Sequence, residues 1–253
     1  MGRKRNIALL VIAGMVGLAA IAWAMRPRDE PAKATVEDAV RSFRAEKAPG
    51  SQDERREGPA PGVYRYATRG LESAQAVFAG ATHDYDGVST ITLSPGRCGT
   101  RERWQVLDGR WSEIEACDDS VWVTEFHEFF GVGQKDSFRC HGGSRSETLV
   151  LEPGARFSTS CEGEETSTSS DWRVIAFERV PVGGESFDAI HLESRSAFEG
   201  ESSGTARREE WRRRADGLLL RLSSQSDADS SAGGGTHYSE RYTLRLLDVT
   251  PRR

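Results

Sequence analysis

Lysine and asparagine are nearly missing from this chain of 253 residues: Lys4, Lys33, Lys47 and Lys135 are its only lysines, and Asn6 is its only asparagine. Methionine stops at Met25. The arginine-heavy bias suits a GC-rich genome, and the single Asn leaves no N-glycosylation sequon, which fits a bacterial envelope. Motifs that carry chemistry are missing as well. There is no G-x-S-x-G elbow, no G-x-x-x-x-G-K-[ST] phosphate loop, no G-x-G-x-x-G turn and no H-E-x-x-H helix, so no cofactor is expected and the function reads as non-enzymatic. Basic excess is also lacking. The 34 Lys and Arg, less Arg3, Lys4 and Arg5, leave 31 basic against 39 acidic residues beyond Met25, which argues against nucleic acid as a partner.

What is present begins with one apolar run. From Ile7 to Met25 no residue is charged, and as a helix rising about 1.5 Å per residue this stretch just crosses a hydrocarbon core of roughly 30 Å. Arg3, Lys4 and Arg5 precede it. The expectation is a cytoplasmic basic tip over 1–6, a transmembrane anchor over 7–25 and a single-pass protein of the cell membrane with its C-terminal bulk extracytoplasmic. The alternative is a cleaved signal peptide, since Ala22 and Ala24 form an A-x-A. Run length and Trp23 favour the anchor. No Cys follows the run directly, so no lipid attachment is expected there.

Residues 26–61, broken by Pro27, Pro31, Pro49, Pro59 and Pro61, read as a flexible tether too poor in apolar groups to fold alone. Inside it Thr35 can cap, and Val36, Ala39, Val40 and Phe43 recur at helical spacing, which predicts a short amphipathic helix over about Val36–Ala45. That helix docks on the domain or on headgroups, or it frays.

From Gly62 to Arg253 alternation replaces the helical period. Tyr238, Tyr242, Leu244 and Leu246 share one face against Ser239, Arg241, Thr243 and Arg245; Ile190, Leu192 and Phe198 do the same, as do Leu218, Leu220 and Leu222. The predicted class is mainly β, a large curved antiparallel sheet of half-barrel type. Its concave face would be lined by Tyr238, Tyr242, Leu244, Leu246, Ile190, Leu192 and Leu220. Asp108-Gly109 and Asp216-Gly217 predict tight primed hairpins. The segments Glu162–Asp171 and Asp227–Gly235, rich in Ser, Gly and acids, predict exposed loops.

Cys98, Cys117, Cys140 and Cys161 lie in the part placed outside the cytoplasm, where thiols oxidise. Three pairings are possible. Cys98 and Cys117 bracket the Trp104 hairpin and Cys140 and Cys161 bracket another, so local closure favours those pairs, each worth roughly 3 kcal/mol. Zinc is the rival, with His127 and His141 as extra ligands, but no C-x-x-C spacing supports a metal. The HDYDG cluster at His83 to Gly87 reads as an Asx turn before a cation loop. His127 and Glu128 are strand neighbours on opposite faces, so they do not cooperate; Trp122, Phe126, Phe129 and Phe130 read as core. Arg212, Arg213 and Arg214 read as guards of an edge strand.

The C-terminal part, SSGTARREEWRRRADGLLLRLSSQS and THYSERYTLRLLDVTP, resembles the closing strands of the LolA-like and LppX-like half-barrel envelope proteins. The carrying elements are Trp211, Asp216 to Arg221, and Tyr238, Glu240 and Tyr242. The opening GVYRYATRG resembles anchored envelope proteins of actinobacteria. The resemblance implies a sheet wrapped round an apolar cavity and a lipid or other apolar ligand. The combined expectation is a membrane-anchored extracytoplasmic β domain that binds an apolar or amphiphilic ligand in its concavity; an enclosed cavity of roughly 300 Å³ or more, against a solid interior, is the observation that decides it. The alternative is a non-catalytic envelope scaffold that meets a protein partner through its acidic surface.

Overall fold

The computed structural model describes residues 31–46, 58–117, 120–142, 150–231 and 235–253. The expected anchor over 7–25 and the basic tip over 1–6 lie outside these residues. Among the described residues no helix is long and apolar enough to cross a membrane. The compact unit runs from Pro31 to Arg253.

One helix and thirteen strands make up this unit: α1 (Val36–Glu46), β1 (Gly62–Ala76), β2 (Ala79–Asp84), β3 (Gly87–Pro95), β4 (Thr100–Leu107), β5 (Arg110–Ala116), β6 (Val121–Phe129), β7 (Val132–His141), β8 (Arg156–Glu162), β9 (Thr166–Val182), β10 (Glu185–Gly200), β11 (Ser202–Arg213), β12 (Leu219–Ser230) and β13 (Thr236–Leu246). Every pairing is antiparallel, and from β3 to β13 each strand pairs with its sequence neighbours. β1 closes the circuit. One of its edges pairs with β13, from Tyr66 opposite Leu246 to Ala76 opposite Thr236. The other pairs with β3 and then with β2 in unbroken register, interrupted only where Tyr85 turns inward.

This closure corrects the expected half-barrel. An open sheet leaves the outer strands unpaired, whereas here β1 and β13 pair from Tyr66 to Ala76 and close the circuit, although β2 and residues 132–138 of β7 pair on one side alone. Following paired residues from Ala74 through β13 and round to Pro95 arrives opposite a point two residues before Gly62. A stagger of about 14 residues round twelve strands corresponds to a strand tilt of about 40°.

The turns at 77–78, 108–109, 130–131, 163–165 and 201 and the end of β12 at Ser230 share one end of the barrel, called the rim; the other end is the base. The base is filled on the β1–β3 and β9–β13 side by Tyr64, Tyr66, Ile91, Leu93, Leu218 to Leu220, Leu222, Leu244 and Leu246. Towards the rim the inward positions of β9–β12 become small and polar: Ser170, Ser196, Ala206, Ser226 and Ala228 lie on paired strands. Most of EGEETSTSSD and the first four residues of DADSSAGGG are therefore strand rather than loop, because β9 begins at Thr166 and β12 runs to Ser230. Closed ladders satisfy their backbone groups without help from apolar side chains.

Helix α1 starts where Thr35 Oγ1 accepts the Asp38 N–H at 3.1 Å and buries Phe43 against the outside of β1 and β3. Arg44 donates to the Arg253 carbonyl at 2.7 Å. Residues 31–34 are pinned as well, by Ala34 N–H to Val106 O and Asp108 N–H to Ala32 O. This part of the expected tether thus belongs to the barrel. The β4–β5 turn forms at Asp108–Gly109, but neither residue has positive φ, so it is not a primed turn; Gly217 has a positive φ of 78°, but it closes a four-residue loop between Arg213 and Leu218, so that connection is not a primed turn either.

Candidate functional site

Alternation along tilted strands sends every second side chain into the lumen, and several of these are charged. Glu72 and Glu240 are direct cross-strand partners, both buried. Two like charges so placed repel, and Arg110 of β5 offsets them. Its guanidinium, 2% exposed, donates to Glu240 through Nε at 2.8 Å and Nη2 at 3.1 Å, while Nε lies 3.7 Å from Glu72. Trp104, stacked on Tyr242 at 4.5 Å, presents its ring to Arg110. Tyr85 O–H donates to Glu240 at 2.7 Å.

Glu72, 0% exposed, receives more partners. His83 Nδ1 reaches one oxygen at 2.9 Å, and His127 Nδ1 and the Tyr238 hydroxyl reach the other at 3.0 and 3.2 Å. An ionised carboxylate only accepts, so both imidazoles present Nδ1–H to it. Burial by itself raises the Glu72 pKa, but the hydrogen bonds from His127 and His83 outweigh it and bring the value to about 2. Burial and Arg110 push His127 down, yet its contacts with Glu125 and Glu72 leave it above its ordinary value.

A second cluster stands on β11. Glu210 accepts from Arg208 and Arg212, the residues two before and two after it on the same face, and Arg212 continues to the Gly217 carbonyl and to Glu102 at 3.6 Å. Burial opposes the Glu210 charge; the two guanidiniums overcome it and hold the pKa at about 2. Arg212 is therefore an interior residue and not an edge guard. Arg213 binds Asp216, and Arg214 lies over Phe177 at 3.8 Å.

Between β5 and β11 the lumen holds a cavity of about 250 Å³, a little under the usual range for ligand pockets. Ile114, Val123, Phe157, Trp172 and Leu192 form its apolar wall, and Arg208, Glu210, Arg212 and Glu125 its charged one. Phe157 and Trp172 stack at 5.8 Å, and the Trp172 N–H donates to Thr159 at 3.3 Å. Burial raises the Glu125 pKa, but His127, Arg110 and Arg208 bring it to about 2, so the carboxylate is ionised. Ser112, Ala116 and Ser170 leave the room.

Of the residues expected to line a concavity, Leu192 reaches this cavity. Tyr242, Leu244, Leu246 and Leu220 are packed into the base, Ile190 lies with Leu192 and Val174, and Tyr238 belongs to the Glu72 cluster. Cys98 pairs with Cys117 and Cys140 with Cys161; Glu115 accepts from the Cys98 backbone. A Cys98, Glu115 and Cys117 group is close enough for a metal, but sulfurs joined to each other are not thiolate ligands. In the HDYDG segment Asp84 accepts the Asp86 N–H at 2.6 Å, an Asx turn. His127 faces inward and Glu128 outward, where its N–H meets the Gly109 carbonyl. The expected aromatic core on β6 is corrected. Trp122 and Phe130 are exposed, and Phe126 stacks outside on Trp111 at 5.6 Å, because their strand positions have the parity opposite to His127 or lie in the turn.

No family model matches the chain, and no curated protein does. Among solved structures it is similar to the hypothetical lipoprotein YmcC from Escherichia coli (K12), at 13% identity and a TM-score of 0.38, over 80% of this chain and 95% of that one. A likeness this distant carries no argument about function, and the resemblance to LolA-like proteins gains no support from it.

Proposed function

We propose that the barrel is a non-catalytic binding module of a bacterial envelope that takes one small amphiphile into the β5–β11 cavity. The observation that carries this reading is an apolar wall ending on ionised side chains inside an otherwise filled lumen. The ligand's ring or short chain lies against Phe157, Trp172, Val123 and Leu192, and its polar end meets Arg208 or Glu125. At about 30 Å³ per water-sized group, 250 Å³ holds about eight such groups. A diacyl lipid does not fit; a single ring or short acyl chain does.

Hexanoate, a short acyl chain ending in a carboxylate, is a suitable probe. It should bind the folded protein with a heat measurable by titration calorimetry. Leu192→Trp, which takes up part of the cavity, should weaken binding several-fold in protein that still folds, and Arg208→Met should weaken it. Undiminished binding by both variants would place the probe elsewhere and remove the basis of the reading.

A further inference from the structure

Two hairpins at the rim carry residues that turn chemistry does not ask for. The β1–β2 turn consists of Val77 and Phe78, since Ala76 pairs with Ala79, and these side chains are 70% and 96% exposed. The β6–β7 turn consists of Phe130 and Gly131, both at positive φ, followed by Val132 at 70% exposure. Phe130, at φ 55°, is the only non-glycine residue at positive φ among the described residues. Such positions favour Gly, Asn or Asp, and a bulky aromatic there is under strain. Turn propensity has been given up twice, both times to display a Phe.

The two hairpins touch. Phe129, next to the turn, stacks on His83 of β2 at 4.7 Å and meets Tyr238 edge-on at 6.1 Å. No charged residue occurs from Ala74 to Thr82 or from Phe129 to Gly133. The hairpins on the other side of the rim differ, carrying Glu164, Glu165 and Glu201. The chain also joins the barrel at this rim. Asp108 N–H bonds the Ala32 carbonyl, and Pro31 lies beside the Asp108–Gly109 turn, which bonds Glu128 just before Phe129. In sequence only Arg26 to Glu30 separate Pro31 from the uncharged stretch Ile7–Met25.

We propose that Val77, Phe78, Phe130 and Val132 insert into the interfacial layer of a lipid bilayer, so that the barrel rests on the membrane by this sector of its rim. Aromatic and aliphatic side chains on uncharged tips match the headgroup boundary. The acidic hairpins opposite keep away from anionic headgroups and confine the contact to one side.

The test uses the full chain in vesicles of phosphatidylcholine and phosphatidylglycerol, with Phe78→Trp and Phe130→Trp as reporters. Val150→Trp, exposed in the β7–β8 connection at the base, is the control. Relative to the unchanged protein, the emission added by each rim Trp should shift to the blue and be quenched several-fold more by brominated phosphatidylcholine than that added at position 150. Equal quenching at all three positions overturns the proposal. A blue shift without lipid that grows with protein concentration also overturns it, because a second copy of the chain then covers the rim.

Discussion

Removing one member of the Arg110–Glu240 pair should damage the barrel far more than removing both. Arg110 is 2% exposed and holds Glu240 through two hydrogen bonds of 2.8 and 3.1 Å, with the Trp111 carbonyl at 2.9 Å as its other close acceptor. Arg110→Met leaves Glu72 and Glu240 opposed on neighbouring strands. Glu72 keeps His83, His127 and Tyr238, but Glu240 keeps only the Tyr85 hydroxyl among the bonds described here. An uncompensated buried charge costs about 3–5 kcal/mol. For a unit of this size that is a fall in Tm of roughly 6–20 °C. Glu240→Gln should cost less, near 3 kcal/mol by the same rule, since Glu72 remains 3.7 Å from the guanidinium.

Urea unfolding of both single variants and of Arg110→Met combined with Glu240→Gln completes the cycle. The double variant has neither the stranded cation nor the opposed carboxylates, so its loss should fall at least 2 kcal/mol short of the summed single losses, a coupling well beyond the additivity error of about 0.5 kcal/mol. Additive losses, or a silent Arg110→Met, would refute the claim that these charges hold one another in place.

Stability should peak in mild acid. Glu72 and Glu210, each held at about 2, contribute fully above about 4.5 and lose that contribution as pH falls towards 2; His127, held above 6.5, contributes fully below 6.5 and loses its share as pH rises through its raised value. Urea midpoints across the pH range test this, and a flat profile down to pH of about 3 would contradict it. Leu244→Asp, at a side chain 1% exposed in the filled base, should cost several kcal/mol and block accumulation of folded protein, whereas Arg245→Asp on the outer face should be nearly silent. The reverse result would mean a register slipped by one residue.

The strand faces were legible because their period is two. Tyr238, Tyr242, Leu244 and Leu246 do share the inward face. The same alternation places Glu240 between Tyr238 and Tyr242, and Glu210 between Arg208 and Arg212, so the charged clusters were in principle readable. A carboxylate at an apolar position ordinarily reads as a break in the pattern and not as a member of it, so periodicity alone does not reveal them. His127 and Arg110 had no such signal, since Glu72 and Glu240 are their partners only after the chain has closed, whereas His83 meets Glu72 inside the β1–β2 hairpin. Closure depends on β1 meeting β13 across more than 150 residues, and no local periodicity reports a pairing of that span. The turn at Phe130–Gly131 was hidden for another reason: its aromatic looks like core, and only its positive φ shows that it is a tip.

Barrel width explains why the interior is charged at all. Eight strands leave a lumen that inward side chains can fill, and sixteen or more leave a water channel. Twelve strands at this tilt fall between, too wide for one apolar layer and too narrow for bulk water. The chain meets that geometry in three ways. Large aliphatic and aromatic residues fill the base; long Arg and Glu side chains occupy the middle, where Arg110 finds Glu240 across the lumen and Glu210 finds Arg208 and Arg212 on its own strand; and small residues on β5 and β9 leave the remaining space empty. The cavity lies where Ser112, Ala116 and Ser170 face Trp172 and Leu192. Substituting those small residues with Leu would complete a solid interior by the same chain topology, so the cavity is a property of three or four side chains and not of the fold.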